Sequence, residues 1–110
     1  MTRHIDLSTL HLRSGAGSTG DLDDVCWWQA VRAWKHLPAR TDAAIESGSD
    51  VIRSYGIALN DAMPEEWRQK LVPFIPRAAA ADNRHEAERR AVIVDAALRI
   101  FVPLALDNAA

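Results

Sequence analysis

Leu59-Asn60-Asp61-Ala62-Met63-Pro64-Glu65-Glu66-Trp67-Arg68-Gln69-Lys70-Leu71-Val72-Pro73-Phe74-Ile75-Pro76-Arg77 is the stretch that decides the fold class. It reads as a helix stop, a turn, a short helix and a proline-punctuated exit. Pro64 suits the first helical position, where its missing N–H is not needed, with Asp61 or Met63 before it as cap. Glu65 and Glu66 fall in the first turn, where the helix dipole favours acids, and Arg68 and Lys70 follow them. Trp67 and Leu71 share one helical face, joined by Phe74 or Ile75. Pro73 then breaks the hydrogen-bond ladder and Pro76 prevents its resumption. Val72 to Arg77 is therefore predicted as a rigid turn packed by Phe74 and Ile75.

Working upstream, Ser49 caps a predicted helix from Asp50 to about Leu59, which Asn60 or Asp61 ends. Val51, Ile52, Tyr55 and Leu59 form its apolar face. Gly56 lies in that face at a cost of about 1 kcal/mol against alanine, which predicts close packing against a tryptophan. Thr41 or Asp42 can cap a short turn through Glu46, broken by Ser47-Gly48-Ser49. An earlier helix is predicted from Leu22 to His36, with Asp21 as N-cap and Asp24 in the capping-box position. Leu22, Val25, Cys26, Ala30, Ala33 and Leu37 form one stripe, and Trp27, Val31 and Trp34 a second. Leu37-Pro38 ends it, because a residue before proline leaves the helical region.

Downstream, Asp82 or Asn83 can cap a long final helix to about Val102. Its first turns are polar, through Arg84, His85, Glu86, Glu88, Arg89 and Arg90. Its second half is nearly all apolar, from Ala91 to Val102, broken by Asp95 and Arg99 at a spacing that allows a salt link. This change predicts that the helix enters the core at its C-terminal half, and that Pro103 ends or kinks it. The first 20 residues read as an irregular arm, with a register slip near Ser8-Thr9. Ser14 to Gly20 reads as a flexible loop that lacks the Gly-Lys-Ser/Thr ending of a phosphate cradle.

The expected fold is thus all-α: a compact bundle of four to five helices behind an irregular N-terminal arm. Residues 1–20 form arm and loop, and residues 21–110 a single helical domain. A chain of 110 residues has room for one core. With 48% hydrophobic and 25% charged residues, it has the composition of a soluble globular protein. No apolar run is long enough for a membrane span. The N-terminal stretch lacks an apolar signal region, which predicts a cytoplasmic protein. A net charge of −2 exerts no global pull on nucleic acid or anionic lipid.

Motifs for chemistry are sparse. None of the four histidines pairs with another at a helical i, i+3 or i+4 spacing, so an HExxH-type metal site is absent. A single cysteine, Cys26, excludes an intrachain disulfide and is read as a buried structural thiol. Asp21, Asp23 and Asp24 lack the glycine and distal glutamate of a calcium loop. Residues 50–72 have a helix–turn–helix look. Their would-be recognition helix opens with Glu65 and Glu66, which phosphate rejects. No catalytic, cofactor or metal residue is assigned.

Four tryptophans are many for this length. Trp27 and Trp28 point about 100° apart on a helix, and Trp34 follows Trp27. Trp28 is then the odd one out, either packed under the arm or exposed. Tryptophan is enriched at interface hot spots. A protein-binding face is therefore placed at Trp28, Arg32, His36 and, from the arm, His11.

The patterns Leu-Asn-Asp-x-Met-Pro and Arg-Gln-Lys-Leu-x-Pro-x-Ile-Pro-Arg within Ala58 to Arg77 resemble those of a group of small uncharacterised bacterial proteins. The group is common in actinobacteria and also carried by phages. Cys26-Trp27-Trp28-Gln29-Ala30-Val31 and the run from Arg89-Arg90 to Arg99-x-Phe101-x-Pro103 are similar too, so the resemblance spans about residues 22–104. The chain departs from it in lacking a second cysteine after Ala43 and a Gly-Thr pair after Arg77. The resemblance implies a helical fold and no particular activity. The expected function is a small protein-binding module, with an accessory or inhibitory protein of mobile-element origin as one case. The partner is another protein or a second copy. A DNA-associated transcriptional regulator is the alternative, and a small enzyme the third reading.

Overall fold

The computed structural model describes residues 5–17 and 23–109. Asp21 and Leu22, expected as cap and stripe residue, lie outside them. The chain is all-α: α1 (Trp27–Trp34), α2 (Asp50–Ala62), the one-turn α3 (Glu65–Arg68), α4 (Ile75–Ala80), α5 (Glu86–Ala96) and α6 (Val102–Ala109). Among the described residues there is no strand, only isolated bridges joining Leu12 to Val25 and Gly48 to Asp82. α1 lies at the centre of a compact helical bundle, packed between α4 and α2, and α5 lies against α2.

α1 is shorter than predicted at its N-terminal end, because the cap is Cys26. Its sulfur accepts the Gln29 backbone N–H at 3.5 Å, and Gln29 Oε1 accepts the Cys26 N–H at 2.9 Å. This is a reciprocal capping box with a thiol in place of serine. At the other end His36 stands in the left-handed region at φ 60°. The N–H groups of His36 and Leu37 bond back to the carbonyls of Ala33 and Arg32, both at 2.9 Å. α1 therefore ends in a Schellman motif, with His36 where glycine is usual, and stops before the proline acts.

Ser49 caps α2 as predicted, its hydroxyl accepting the Ile52 N–H at 3.0 Å. A second cap comes from another helix. Glu86, the first residue of α5, accepts the Ser49 hydroxyl at 2.6 Å and the Val51 N–H at 2.9 Å. These bonds, with Arg89 at 3.0 Å, hold the Glu86 carboxyl down at a pKa of about 2. Gly56 does pack on a tryptophan: a Cβ there would stand 2.1 Å from the Trp27 ring. α2 runs on to Ala62, past the predicted stop, because Asn60 serves the core instead of the cap.

The opening stretch keeps its helix after Pro64, but Pro64 is the cap and not the first helical residue, Asp61 and Met63 belong to the end of α2, and the exit differs from the prediction. The chain passes through a 3-10 helix over Gln69–Phe74, with Pro73 inside it. Pro76 then lies in the first turn of α4, so this proline starts a helix instead of preventing one. Trp67 and Phe74, expected to pack, are half exposed. Each carries a cation over its ring, Lys70 at 4.2 Å and Arg77 at 5.9 Å.

The arm is irregular but tied down. Its slip at Ser8-Thr9 is a 3-10 turn, Leu7–Thr9, capped by Asp6. Leu12 is fully buried, and Gln69 holds its N–H at 2.9 Å and its carbonyl at 2.8 Å. The described part of the loop, expected to be flexible, is hydrogen-bonded to the bundle. Gly15 N–H donates to Asp61 Oδ1 and Gly17 N–H to Gln29 Oε1, both at 2.8 Å.

The largest departure is the final helix. It begins at Glu86, after Asp82 has been drawn into a local turn with Arg84. It does not end at Pro103. A π turn over Ala97–Phe101 precedes that proline, and the helix continues as α6. In a regular α-helix the Pro103 ring would collide with the carbonyl four residues back, and the wider turn relieves that demand. Nor does its apolar half enter the core: every residue from Leu98 to Asn108 is exposed.

Candidate protein-binding surface

The four residues placed in a binding face do not form one. Trp28 is 2% exposed, and its indole N–H donates to the Ala43 carbonyl at 2.8 Å. Its ring lies 6.1 Å from that of Trp27, tilted by 42°. Packing thus resolves the odd position of Trp28 by wrapping the 38–45 segment over it. Arg32 is buried as well. Its guanidinium donates to Pro38 O and Ala44 O at 2.7 Å and to Ala43 O at 3.3 Å. Burial, with Arg40 beside it, pushes its pKa below the ordinary arginine value. Both side chains stitch a loop to α1 and neither meets solvent.

The two histidines are exposed but separate. His36 terminates α1, whereas His11 lies 3.0 Å from Glu65 at the start of α3. Cys26 is buried, as expected, and burial raises its thiol pKa. That keeps it protonated and unreactive. Asp24 pairs with Arg13 at 3.2 Å. Among the described residues no group of three or more histidines, cysteines or acids could hold a metal.

Buried polar side chains hold this interior together. Gln29 is 1% exposed and uses its whole amide, donating to Gly17 O and Ala39 O and accepting from Cys26 and Gly17. Asn60, fully buried, accepts the Trp27 N–H at 3.1 Å and donates to Arg13 O at 2.7 Å. Arg68 closes the C-terminal end of α2 by donating to Asn60 O at 2.5 Å and Met63 O at 2.6 Å. Buried amides so satisfied specify one arrangement of the arm, α1 and α2.

The surface offers something else. Val92, Val94, Leu98, Ile100, Phe101, Val102, Leu104 and Leu106, all on the final helix, are 45–69% exposed. Three of them, Ile100, Phe101 and Val102, are consecutive, so the apolar surface runs around the helix and is not confined to one face. Asp95 and Arg99 interrupt it, paired at 2.7 Å as expected. A groove of about 380 Å³ opens at the root of this helix, lined by Ile52, Tyr55, Leu71, Phe74, Val92 and Ile93 among others. Helix and groove form one continuous apolar surface through Val92 and Ile93.

Sequence reasoning assigned these helix residues to the core. The signal that tells otherwise is the lack of a polar face: such a helix needs apolar cover on several sides. No helix among the described residues is long and apolar enough to cross a membrane. The helix–turn–helix look of residues 50–72 reduces to α2 followed by a helix of four residues, with Glu65 and Glu66 exposed at its start. No protein-family model, no curated protein and no solved structure matches the chain.

Proposed function

We propose that this chain is a small protein-binding module whose binding element is its C-terminal helix. The observation that carries the reading is the exposure of eight large apolar side chains, each 45–69% exposed, on that one helix. Contiguous apolar surface of this extent marks an interaction site in a folded protein. The groove at the root of the helix adds concave apolar surface beside the convex one. Half-exposed Trp67 and Phe74 supply the aromatic residues typical of interface anchors.

An accessory or inhibitory protein of mobile-element origin is the case that the resemblance of Ala58 to Arg77 favours. A cytoplasmic location goes with a single free cysteine, the usual state of a thiol in a reducing compartment. The test is site-specific photo-crosslinking of the full chain in cells. A photo-reactive residue in place of Leu98 should yield a covalent protein adduct. The same residue in place of Glu88, exposed on the polar part of the helix, should not. Equal labelling at both positions, or none at Leu98, would overturn the reading.

A further inference from the structure

Two hollows meet where α2 packs against α5, and Val51, Tyr55 and Ile93 line both of them. The first is the apolar groove at the root of the C-terminal helix. At about 380 Å³ it falls within the usual size of a small-molecule pocket, about 300–1,000 Å³. Its polar lining groups are engaged. The Trp27 indole N–H donates to Leu71 O at 3.0 Å, and the Arg89 guanidinium donates to Asp82 O and to Glu86. Among the other lining side chains only Tyr55 carries a polar atom, and Tyr55 belongs to both hollows. A ligand body in the groove therefore meets carbon and must itself be apolar, because a polar group there would lose its water without gaining a partner.

The second hollow is lined by Asp50, Ser54 and Arg90 beside the three shared residues. Its charges do not cancel. Asp50 pairs with Arg53 at 3.4 Å. Glu86, which accepts the Val51 N–H, pairs with Arg89 at 3.0 Å. Arg90 has no hydrogen-bond or ion-pair partner among the described residues. One guanidinium is thus left over at the edge of an apolar groove. A guanidinium with free donors selects a carboxylate, and a cation in the same place would be repelled.

We propose that the cleft between α2 and α5 binds a small amphipathic acid, whose aliphatic chain fills the groove and whose carboxylate pairs with Arg90. The ligand crosses the ridge of Val51, Tyr55 and Ile93 that the two hollows share. This site goes beyond the reading of the C-terminal helix as a protein-binding element, since it uses α2 and the root of α5 and none of the residues from Leu98 onward.

The test is isothermal titration calorimetry of the purified full chain with decanoate, decan-1-ol and decyltrimethylammonium, each below its micelle concentration. Decanoate should saturate a single site. The alcohol should bind about fivefold more weakly, the worth of one exposed ion pair, and the cation more weakly still. Arg90→Gln should weaken decanoate about fivefold and leave the alcohol unchanged. A general loss of structure would weaken both, so the contrast reports the head group. Val92→Asp, which sets a charge against the aliphatic chain, should weaken acid and alcohol alike by about tenfold or more. Leu98→Glu, further along the helix, should change neither. Val92 and Leu98 are 69% and 66% exposed, so the near-ultraviolet circular dichroism of the buried tryptophans should report an intact fold in both variants.

Absence of saturable decanoate binding, or equal affinity for the acid and the cation, would overturn the proposal. So would an Arg90→Gln chain that loses the alcohol as much as the acid. Binding that responds to Leu98→Glu and ignores Val92→Asp would mean that the acid only coats the exposed helix, and the cleft site falls. Binding to phosphatidylglycerol vesicles with no response to free decanoate would move the contact to a membrane surface and overturn the site as well. None of these results touches the crosslinking at Leu98, so the ligand site and the helix interface stand or fall separately.

Discussion

Two helices of this chain have much the same apolar character and opposite fates. α1 carries Trp27, Trp28, Ala30 and Val31, and all six residues from Trp27 to Arg32 are buried, two of them polar. The C-terminal helix carries Val92, Val94, Leu98, Ile100, Phe101, Val102, Leu104 and Leu106 in the open. Apolar content does not separate them. What separates them is that α1 has elements before and after it in the chain that close over it: the arm, the 38–45 segment, α2 and α4. Helix α5 is anchored to α2 at its first turns, and beyond Leu98 it has outrun the bundle. Burial is a property of neighbours, not of apolar content.

The contrast can be broken most sharply at Trp28. Trp28→Ala should cost about 3–5 kcal/mol, the range for large aromatic deletions in a packed core, measured by urea unfolding. A cost below about 1 kcal/mol would mean that α1 is not the centre of the bundle. Gly56→Ala comes next. Trp27, its ring neighbour, is 4% exposed and held by an indole hydrogen bond to Leu71 O at 3.0 Å, so it cannot swing away from a new methyl. The overpacking should cost about 1–3 kcal/mol, more than the helix propensity of about 1 kcal/mol that alanine adds. A more stable Gly56→Ala chain would show that α1 and α2 lie further apart.

A pH titration sharpens the junction between the two regions. Glu86 starts the C-terminal helix and caps α2, and its pKa falls from 4.5 to about 2. A carboxyl depressed on folding contributes stability that is complete above its unfolded value and lost as pH falls through the folded one. Stability should therefore decline between about pH 4.5 and pH 2, and Glu86→Gln should flatten that part of the profile. An unchanged profile in Glu86→Gln would assign the acid sensitivity elsewhere.

The smallest effect belongs to the exposed helix. Measured at concentrations where the chain is monomeric, Leu98→Ala should shift stability by no more than about 0.5 kcal/mol, as for an ordinary surface position. Asp95→Asn should cost a few tenths of a kcal/mol, the usual worth of an exposed helical ion pair. A Leu98→Ala loss above about 2 kcal/mol in the monomer would place that side chain in a core.

Much of the fold was legible where the determinant is local. Ser49 caps α2, Gly56 meets a tryptophan and Asp95 pairs with Arg99, because each depends on residues within a turn or on a hole in one helical face. The candidate surface was misread for the opposite reason. Trp28, by its helical angle either packed under the arm or exposed and placed in a binding face, is buried, while Trp67, expected to pack, is half exposed. Periodicity gives the angle between two side chains on one helix but not which flank the rest of the chain will cover. Asn60 was read as a stop signal. Its value lies in Trp27 and Arg13, 33 and 47 residues away.

By itself the sequence determined that this protein is helical, that Ser49 opens one of its helices and that Gly56 leaves room there for a close neighbour. Those follow from backbone sterics and from hydrogen bonds within a turn. Only the tertiary structure decided which apolar helix is inside. Arg32, Gln29 and Asn60 are used to close the bundle over α1 and α2, and the final helix keeps an exposed apolar surface.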